Sequence, residues 1–292
     1  MISAKAKVCG IMAYPVEHSL SPLMHNFYAE QMGIDFVYVP FKVQKEQVKA
    51  AIRGAYALNL TGMNVTVPHK QTVIPYLKEL DSAAKSIGAV NTLVRTEGGY
   101  KGYNTDASGF LRAIKGAGIH ISGQDCLLIG AGGAAKAVAY MLGEQGAASV
   151  IVLNRNEQRA WTLAQEMNQL FKRNFMTALG LHDYGRLEEK SWLAIQTTTV
   201  GMHPDIEASP VQDKAFYKKI SVAMDVIYTP AKTQFMTLVE ESGGRAISGL
   251  DMLIYQGIEA FELWNPGQKV SEELVAKARQ MMEEILERQT KK

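Results

Sequence analysis

The chain has 292 residues, of which 47% are hydrophobic and 21% charged, and its formal net charge at pH 7 is +2. This composition is typical of a globular protein with a full core, and the length is sufficient for two domains. The near balance of charge excludes the strongly basic surface that binds nucleic acid or an anionic membrane, so we expect neither partner.

Strand-like and helix-like segments alternate through the first half of the chain. Strands are predicted at Lys7–Ala13, Phe36–Phe41, Leu60–Val67, Thr92–Thr96 and Tyr100–Tyr103, the last two as a hairpin. The segment Ser21–Gly33 predicts a helix with Ser21 as its N-cap, Pro22 at its first helical position and Gly33 just past its end. A further helix-like segment, Ala107–Lys115, follows the hairpin.

The second half of the chain opens with one βαβ unit. It consists of a strand at Asp125–Ile129, a tight turn at Gly130–Gly133, a helix at Ala134–Glu144 and a strand at Ser149–Leu153. Beyond it, strands are predicted at Leu193–Thr197 and Val222–Val226, and helices at Glu157–Phe171, Thr233–Glu241, Leu250–Trp264 and Ser271–Arg288. We expect the last two helices to close the first domain or to bridge both domains.

The sequence gives no sign of a membrane segment, a signal peptide or a metal site. No apolar run approaches the roughly 20 residues of a membrane span, and the first residues lack the order of a signal peptide. Cys9 and Cys126 lie in apolar strand-like runs, so we expect small buried hydrophobes rather than reactive thiols. His18, His25 and His69 lack a metal-ligand spacing, which favours a structural role or a role in supporting site residues. We expect a cytoplasmic protein without a metal.

The turn of the βαβ unit has the form G-x-G-x-x-A, with Gly130, Gly132 and Ala135 at its fixed positions. The first glycine allows the tight turn, and the second lets the backbone approach a pyrophosphate next to the helix N-terminus. Because the turn follows a strand and opens a helix, it predicts a dinucleotide site rather than an ordinary βα turn. The predicted cofactor-binding residues of this turn are Gly130, Ala131, Gly132, Gly133 and Ala134.

The residues after the second strand of the unit indicate which dinucleotide binds. An NAD site usually places an acidic residue about 20 residues after the glycines. This chain instead has Asn154 and Arg155, followed by Arg159, and two guanidiniums with an amide suit a 2′-phosphate. NADP is therefore favoured. Glu157 could instead accept the ribose hydroxyls of NAD, and all four residues could also form a solvated helix start.

Three polar motifs lie close together upstream: NVTVPHK (Asn64–Lys70), GAVNT (Gly88–Thr92) and YNTD (Tyr103–Asp106). They supply a lysine, a carboxylate, amides and hydroxyls, which can hold a polyhydroxylated small molecule. Taken singly, Lys70 could be a surface lysine and Asp106 a helix N-cap. Together they predict a pair that gives and takes a proton at an alcohol carbon.

These motifs, with HSLSP (His18–Pro22), GAGGAA (Gly130–Ala135) and Gln256 in GLDMLIYQG, resemble the shikimate dehydrogenase family from about Lys7 to about Trp264. The resemblance implies reversible, NADPH-linked reduction of 3-dehydroshikimate to shikimate in chorismate and aromatic amino acid synthesis. It implies an N-terminal α/β substrate domain and a Rossmann-type dinucleotide-binding domain, with the active site in the interdomain cleft. The corresponding ranges are 1–106 completed by 249–292 for the substrate domain, and 107–248 for the NAD(P) domain.

The resemblance also implies individual roles. Ser19 and Ser21, which on their own suit helix capping equally well, would bind the substrate carboxylate. Lys70 and Asp106 would be the catalytic pair. The remaining substrate-binding residues would be Asn64, Thr66, Asn91, Tyr228 and Gln256, and residues on the nicotinamide side would be Thr198, Val226, Gly249 and Met252.

The sequence is also compatible with other functions. The segments MAYPVEHSLSP and IYQGIEAFELW resemble the paralogous quinate/shikimate dehydrogenase branch, some of whose members use NAD. Quinate therefore remains a possible substrate and NAD a possible cofactor. A methyltransferase could use the glycine turn but would normally have an acid at Asn154, and a nucleotide-sensing paralogue would bind without turnover. A monomer and a homodimer are both compatible with the sequence.

Overall fold

A computed structural model describes residues 2–17 and 19–290, so the expectation for His18 lies outside the described residues. The chain divides into two compact units, unit 1 (Met1–Gly109 with Ile254–Met282) and unit 2 (Phe110–Leu253 with Glu283–Lys292). Each unit has its own β-sheet with helices, which confirms the predicted two-domain α/β class. The assignment of substrate to one predicted range and of cofactor to the other stays a prediction.

The strands and helices are numbered in chain order. The strands are β1 (Lys7–Ala13), β2 (Phe36–Lys42), β3 (Gly62–Val65), β4 (Glu79–Leu80), β5 (Thr92–Thr96), β6 (Gly99–Tyr103), β7 (Asp125–Ile129), β8 (Ser149–Asn154), β9 (Met176–Gly180), β10 (Trp192–Gln196), β11 (Ile220–Asp225) and β12 (Arg245–Ile247). The helices are α1 (Ser21–Gln31), α2 (Val48–Ala57), α3 (Ser82–Ile87), α4 (Thr105–Gly116), α5 (Gly133–Glu144), α6 (Glu157–Phe171), α7 (Lys214–Tyr217), α8 (Gln234–Glu241), α9 (Leu250–Trp264) and α10 (Glu272–Thr290). In the part of the chain that the structure describes, no helix has the length and apolarity to span a bilayer.

The sheet of unit 1 is mixed and has the strand order β2-β1-β3-β5-β6-β4. Strand β1 runs parallel to both β2 and β3, whereas β5 runs antiparallel to β3 and β6. Because β1 and β3 are parallel neighbours, their carboxyl ends lie at the same edge of the sheet. The chain continues from these two ends to Ser19 and Thr66, two of the residues predicted to bind substrate.

The last part of α9 packs on the sheet of unit 1. The indole N–H of Trp264 donates a 2.9 Å hydrogen bond to the carbonyl of Leu93 in β5. Its ring lies 5.2 Å from the His25 ring and 5.8 Å from the Tyr38 ring, measured between centroids. These contacts close the core of unit 1 with a segment far along the chain.

Helix α1 begins differently from the prediction. The N-cap position is occupied by Leu20, not Ser21, and no side chain caps the helix. Leu20 already has helical backbone angles (φ −84°, ψ −8°), so Ser21 is the first helical residue and the capping prediction is wrong. At the other end, Gly33 follows the helix with φ +65°, as predicted for a residue just past the end.

The sheet of unit 2 is parallel throughout and has the order β12-β11-β10-β7-β8-β9. Numbered within the unit and read from the β9 edge, this order is 3-2-1-4-5-6, which is that of the Rossmann fold. The order reverses between β7 and β10, and folds of this kind bind ligands at the carboxyl ends of such strands. The edge strands β9 and β12 lie outside the predicted set.

Both cysteines are buried strand residues. Cys9 lies in β1 and Cys126 in β7, and neither side chain is exposed or disulfide-bonded. Burial raises the pKa of both thiols, that of Cys126 to about 12, so the reactive thiolate is disfavoured. The prediction that they are small buried hydrophobes is confirmed.

Candidate active site

The predicted catalytic pair is in direct contact. Lys70 follows the turn after β3, and its backbone carbonyl accepts a 2.8 Å hydrogen bond from the N–H of Val90. Its Nζ donates to Oδ2 of Asp106, in the first turn of α4, at 2.5 Å. The Lys70 and Asp106 side chains are 13% and 7% exposed, so the ion pair is largely shielded from water. Such a pair can hold a proton at a defined position beside a substrate.

The carboxylate of Asp106 does not cap α4. The Asn104 side chain takes that role, because its Oδ1 accepts from the N–H of Ala107 at 3.2 Å. The Nδ2 of Asn104 in turn donates to the carbonyl of Ala89 at 2.9 Å. Both carboxylate oxygens of Asp106 are therefore used for side-chain contacts, and the N-cap interpretation of this residue is wrong.

Asn91 connects the pair to a buried polar network. Its Nδ2 lies 3.0 Å from Asp106 Oδ1, 2.9 Å from Thr105 Oγ1 and 3.2 Å from Gln256 Oε1, and its two hydrogens are shared among these three acceptors. Its Oδ1 accepts from the N–H of Thr105 at 2.7 Å. The amide of Asn91 thus orients the carboxylate that accepts from Lys70. The structure brings together Lys70, Asp106, Asn91 and Gln256, four of the predicted site residues.

Asn64 joins the same network through Thr92. Its Nδ2 donates to Thr92 Oγ1 at 3.0 Å and to the carbonyl of Asn91 at 3.2 Å. Its Oδ1 accepts from the hydroxyl of Tyr38 at 2.6 Å. Both amide hydrogens of Asn64 are thus engaged, and its Oδ1 accepts from Tyr38.

Three residues of this network are absent from the predicted site: Tyr38, Thr92 and Thr105. Thr92 and Thr105 lie inside the GAVNT and YNTD motifs, so their position there was an available signal. Tyr38 lies in β2, and its contact with Asn64 depends on the pairing of β2 and β3 with β1. No local sequence pattern indicates that contact.

Ser19, Ser21 and Thr66 lie after the carboxyl ends of β1 and β3. The Oγ of Ser19 accepts from the N–H of Ser21 at 3.3 Å, and the N–H of Thr66 donates to the carbonyl of Met12 at 3.1 Å. The Ser21 hydroxyl does not cap α1, which leaves it available to another acceptor or donor. Substrate binding by these three hydroxyls stays a prediction.

The glycine turn of unit 2 has the predicted geometry. Gly130 has φ +111°, and a Cβ added there would lie 2.6 Å from Thr197 Oγ1, so only glycine fits. Gly132 is the N-cap of α5, and an added Cβ would meet nothing within 4 Å. Ala135 is fully buried where α5 approaches the sheet. Open space at Gly132 beside the first turn of α5 fits a pyrophosphate. The turn is completed by Ala131, Gly133 and Ala134.

The carboxyl end of β8 presents two arginines to solvent. Asn154 Nδ2 donates to the carbonyl of Asn156 at 2.8 Å, and Asn156 caps α6 by accepting from the N–H of Arg159. Arg155 and Arg159 are exposed, and no described carboxylate lies within 4.0 Å of either guanidinium. Glu157 is exposed in the same helix turn. This donor set fits the 2′-phosphate of NADP.

The residues predicted for the nicotinamide side all belong to unit 2. Val226 N–H donates to the carbonyl of Gln196 at 2.9 Å, and Gly249 N–H donates to the carbonyl of Ile227 at 3.0 Å. Thr198 follows β10, and Met252 is buried in the first turn of α9. Among the predicted substrate residues, Tyr228 is assigned to unit 2 and the others to unit 1.

Asp225, the last residue of β11, is a fully buried carboxylate. Desolvation raises its pKa to about 7, although hydrogen bonds from Ile227, Thr233 and Gln196 act in the opposite direction. No lysine, arginine or histidine of the described residues forms an ion pair with it. A raised folded-state pKa means that this group stabilises the fold at low pH, and that the contribution disappears as pH rises through about 7.

We therefore expect Asp225→Asn to reduce the pH dependence of thermal stability. Asparagine keeps the shape and removes the charge, so the Tm of the variant should fall less than that of the wild type between pH 5 and pH 8. At pH 8 the unfolding free energy of Asp225→Asn should exceed that of the wild type by up to about 4 kcal/mol. Differential scanning calorimetry at both pH values measures it, with the exposed Asp205→Asn as the control. Parallel pH profiles for Asp225→Asn and the wild type would contradict the expectation.

His25 and His69 have structural roles, as predicted. The ring of His25 is buried and stacks on Tyr38 at 4.3 Å, and burial lowers its pKa to about 3. His69 Nε2 lies 2.7 Å from the carbonyl oxygen of Val43. Among the residues that the structure describes, no cluster of three or more histidine, cysteine, aspartate or glutamate side chains is placed to hold a metal ion.

Three family models match the sequence. The model described as the shikimate dehydrogenase substrate binding domain matches residues 11–93. The model for shikimate / quinate 5-dehydrogenase matches residues 113–199, and that for the shikimate 5'-dehydrogenase C-terminal domain matches residues 249–278.

Individual relatives match over almost the whole chain. The shikimate dehydrogenase (NADP(+)) of Methanothermobacter thermautotrophicus is 42% identical over 265 residues, which cover 90% of this chain and 93% of the relative. A crystal structure of a shikimate dehydrogenase in complex with NADP+ is 37% identical, has a TM-score of 0.86, and covers 96% of this chain and 97% of its own. A crystal structure of a shikimate 5-dehydrogenase from Listeria monocytogenes in complex with shikimate and NAD is 31% identical and has a TM-score of 0.83. It covers 96% of this chain and 98% of its own.

Proposed function

Because the chain belongs to the shikimate dehydrogenase family, we propose that it catalyses the reversible, NADPH-dependent reduction of 3-dehydroshikimate to shikimate. The observation that carries this proposal is the Lys70–Asp106 pair, which is shielded from water and oriented by Asn91. Lys70 and Asn91 fall within the residues that match the substrate binding domain. The enzyme would act in the synthesis of chorismate and aromatic amino acids.

The chemistry of the site follows from the geometry of the pair. When NADPH is bound, its nicotinamide supplies the hydride that reduces the ring ketone. Lys70 donates a proton from Nζ to the ketone oxygen as that oxygen becomes a hydroxyl, and it takes the proton back in the reverse direction. Asp106 accepts from Nζ and holds the ammonium in place, and Asn91 holds Asp106 through its other oxygen. The residues thus position one proton rather than form a covalent bond.

The remaining predicted residues would hold the substrate. Shikimate carries one carboxylate and three hydroxyls, and the hydroxyls of Ser19 and Ser21 are suited to the carboxylate. The three hydroxyls of shikimate would be bound by Thr66, Asn64, Asn91, Gln256 and Tyr228. Because both amide hydrogens of Asn64 are engaged, that residue would act as an acceptor for a substrate hydroxyl.

NADP is the cofactor that the residues favour. The glycine turn leaves space for the pyrophosphate, and Arg155 and Arg159 with Asn154 supply donors for a 2′-phosphate. The NADP+ complex of one relative and the NAD complex of another make both cofactors possible in the family. The exposed carboxylate of Glu157 is the feature that would permit some use of NAD.

Replacing both arginines should separate the two cofactors. Arg155→Gln with Arg159→Gln removes the charge-assisted hydrogen bonds to the 2′-phosphate, which NADH lacks. We expect the KM for NADPH to rise by roughly 10- to 100-fold and that for NADH to change little. Steady-state kinetics with both cofactors measures this, with the exposed Arg186→Gln as the control in the same unit. An equal response to both cofactors would show that the arginines do not bind the 2′-phosphate.

The proposed reaction is tested by incubating the purified protein with NADPH and 3-dehydroshikimate. The loss of nicotinamide absorbance should match the appearance of shikimate by chromatography, mole for mole. A nucleotide-sensing paralogue would bind NADPH without consuming it, and that outcome would overturn the proposal. Family membership already leaves the methyltransferase alternative without support.

A further inference from the structure

Two buried polar side chains end the neighbouring strands β10 and β11. Gln196 and Asp225 are aligned in the parallel register, and neither is exposed to solvent. Burying a carboxylate without a cationic partner is costly, and hydrogen bonds must compensate for the lost hydration. An apolar pair at the same positions would avoid this cost, so the retained polar groups need a physical explanation.

The hydrogen bonds of Asp225 go to the segment that follows β11. Its Oδ1 accepts from the N–H of Ile227 at 2.9 Å and from Gln196 Nε2 at 3.3 Å. Its Oδ2 accepts from Thr233 Oγ1 at 2.7 Å, and Thr233 caps α8 by accepting from the N–H of Met236. One carboxylate thus fixes both the start of this loop and the helix that ends it.

The hydrogen bonds of Gln196 go to the segment that follows β10. Its Oε1 accepts from the N–H of Thr198, and its Nε2 donates to the carbonyl of Val200 at 3.2 Å. Over the described residues, the N–H groups of Thr198 and Ile227 have these side chains, and no backbone carbonyl, as acceptors. Gln196 and Asp225 therefore hold the N–H groups of Thr198 and Ile227, whereas the N–H of Val226 between them is held by the backbone carbonyl of Gln196.

We propose that Gln196 and Asp225 are positioning residues, which set the backbone of Thr198–Val200 and of Val226–Tyr228 for the nicotinamide and the substrate. The two segments contain Thr198 and Val226, which are predicted cofactor residues, and Tyr228, which is a predicted substrate residue. That the ligands are the nicotinamide and the shikimate ring rests on the proposed function. The hydrogen bonds of Gln196 and Asp225 are independent of it. A displacement of about 1 Å in such a segment can lower turnover by about 10²-fold.

Hydrogen exchange tests the positioning role without turnover. Gln196→Met keeps the side-chain length and removes the acceptor of the Thr198 N–H. Asp225→Leu removes the acceptor of the Ile227 N–H, whereas Asp225→Asn keeps an oxygen there. By NMR, the Thr198 amide should exchange roughly tenfold faster in Gln196→Met, and the Ile227 amide roughly tenfold faster in Asp225→Leu. The amides of β10 should keep their protection in both variants.

Two outcomes of the exchange measurement would overturn the proposal. Unchanged exchange at Thr198 and Ile227 would mean that other groups fix the loops. An equal loss of protection throughout β10 and β11 would mean that the pair only stabilises the core. Faster exchange at Ile227 in Asp225→Leu but not in Asp225→Asn would support the proposal, because asparagine keeps an acceptor for the Ile227 N–H and leucine does not.

Kinetics provides the second readout. In Gln196→Met, kcat/KM for NADPH should fall by about 10²-fold, while the Ki of 2′,5′-ADP stays unchanged. This fragment contains the adenosine end of NADP and lacks the nicotinamide. A matching rise in its Ki would indicate general damage to unit 2 and overturn the proposal. The exposed Gln165→Met, on α6, is the control. A wild type without turnover would instead contradict the proposed function, and hydrogen exchange would still decide the positioning role.

Discussion

Lys70→Ala should lower kcat for shikimate oxidation by about 10²–10⁴-fold, which is the range that a positioned acid–base group supplies. The KM for shikimate should change little, because the hydroxyl and amide groups proposed to bind the substrate remain. The physical reason is the 2.5 Å contact with Asp106, which holds the Lys70 ammonium in one place. Steady-state rates at saturating NADP measure the effect.

The control for this prediction is Lys85→Ala, which removes an exposed lysine from α3 in the same unit. Lys70→Ala also leaves Asp106 without its cation, so the Tm of both variants must be measured to separate unfolding from loss of catalysis. Turnover close to that of the wild type in a folded Lys70→Ala variant would remove Lys70 from the mechanism.

Asp106→Asn should lower kcat by about 10²-fold, because the amide cannot accept from both Lys70 and Asn91. The amide nitrogen of the asparagine would face the donor of either Lys70 or Asn91, so one of the two contacts would be lost. Lys70 would then lose its fixed position. Asn104, not Asp106, caps α4, so the helix should be retained.

A double variant tests whether the pair acts as one unit. If Lys70 and Asp106 act together, the variant with both substitutions should be scarcely slower than Lys70→Ala alone. Two independent contributions would instead multiply, and that result would contradict the proposed pair. The matched control combines Lys85→Ala with Asp106→Asn, whose rate should equal that of Asp106→Asn.

The elements with strong local patterns are those that the sequence predicts well. Strand β1 and the βαβ unit around Gly130 have compact apolar runs, and their glycine and alanine positions are fixed by local geometry. The N-cap of α1 was the exception, because the backbone becomes helical one residue earlier than Ser21 and no side chain is needed there. Short, half-exposed edge strands such as β9 give too little apolar pattern to be distinguished from loops.

The site divides in the same way. Lys70 and Asp106 are recognisable because each lies in a distinctive polar motif, and the structure brings them together. The contact between Asn91 and Gln256 spans 165 residues, so it depends on how α9 packs and has no local signal. The hydrogen bond from Tyr38 to Asn64 likewise depends on strand pairing, and nothing in either motif indicates it. Chemistry-bearing residues can thus be found from sequence, whereas the groups that orient them require the fold.

The most direct test of the proposed function is a comparison of four initial rates: shikimate and quinate oxidation, each with NADP and with NAD. All four are measured on the purified wild type at matched concentrations, with Lys70→Ala as the blank. We predict that shikimate with NADP gives the highest kcat/KM, and that quinate or NAD lowers it. A protein that oxidises quinate with NAD fastest, or that leaves shikimate unchanged with either cofactor, would contradict the proposed function.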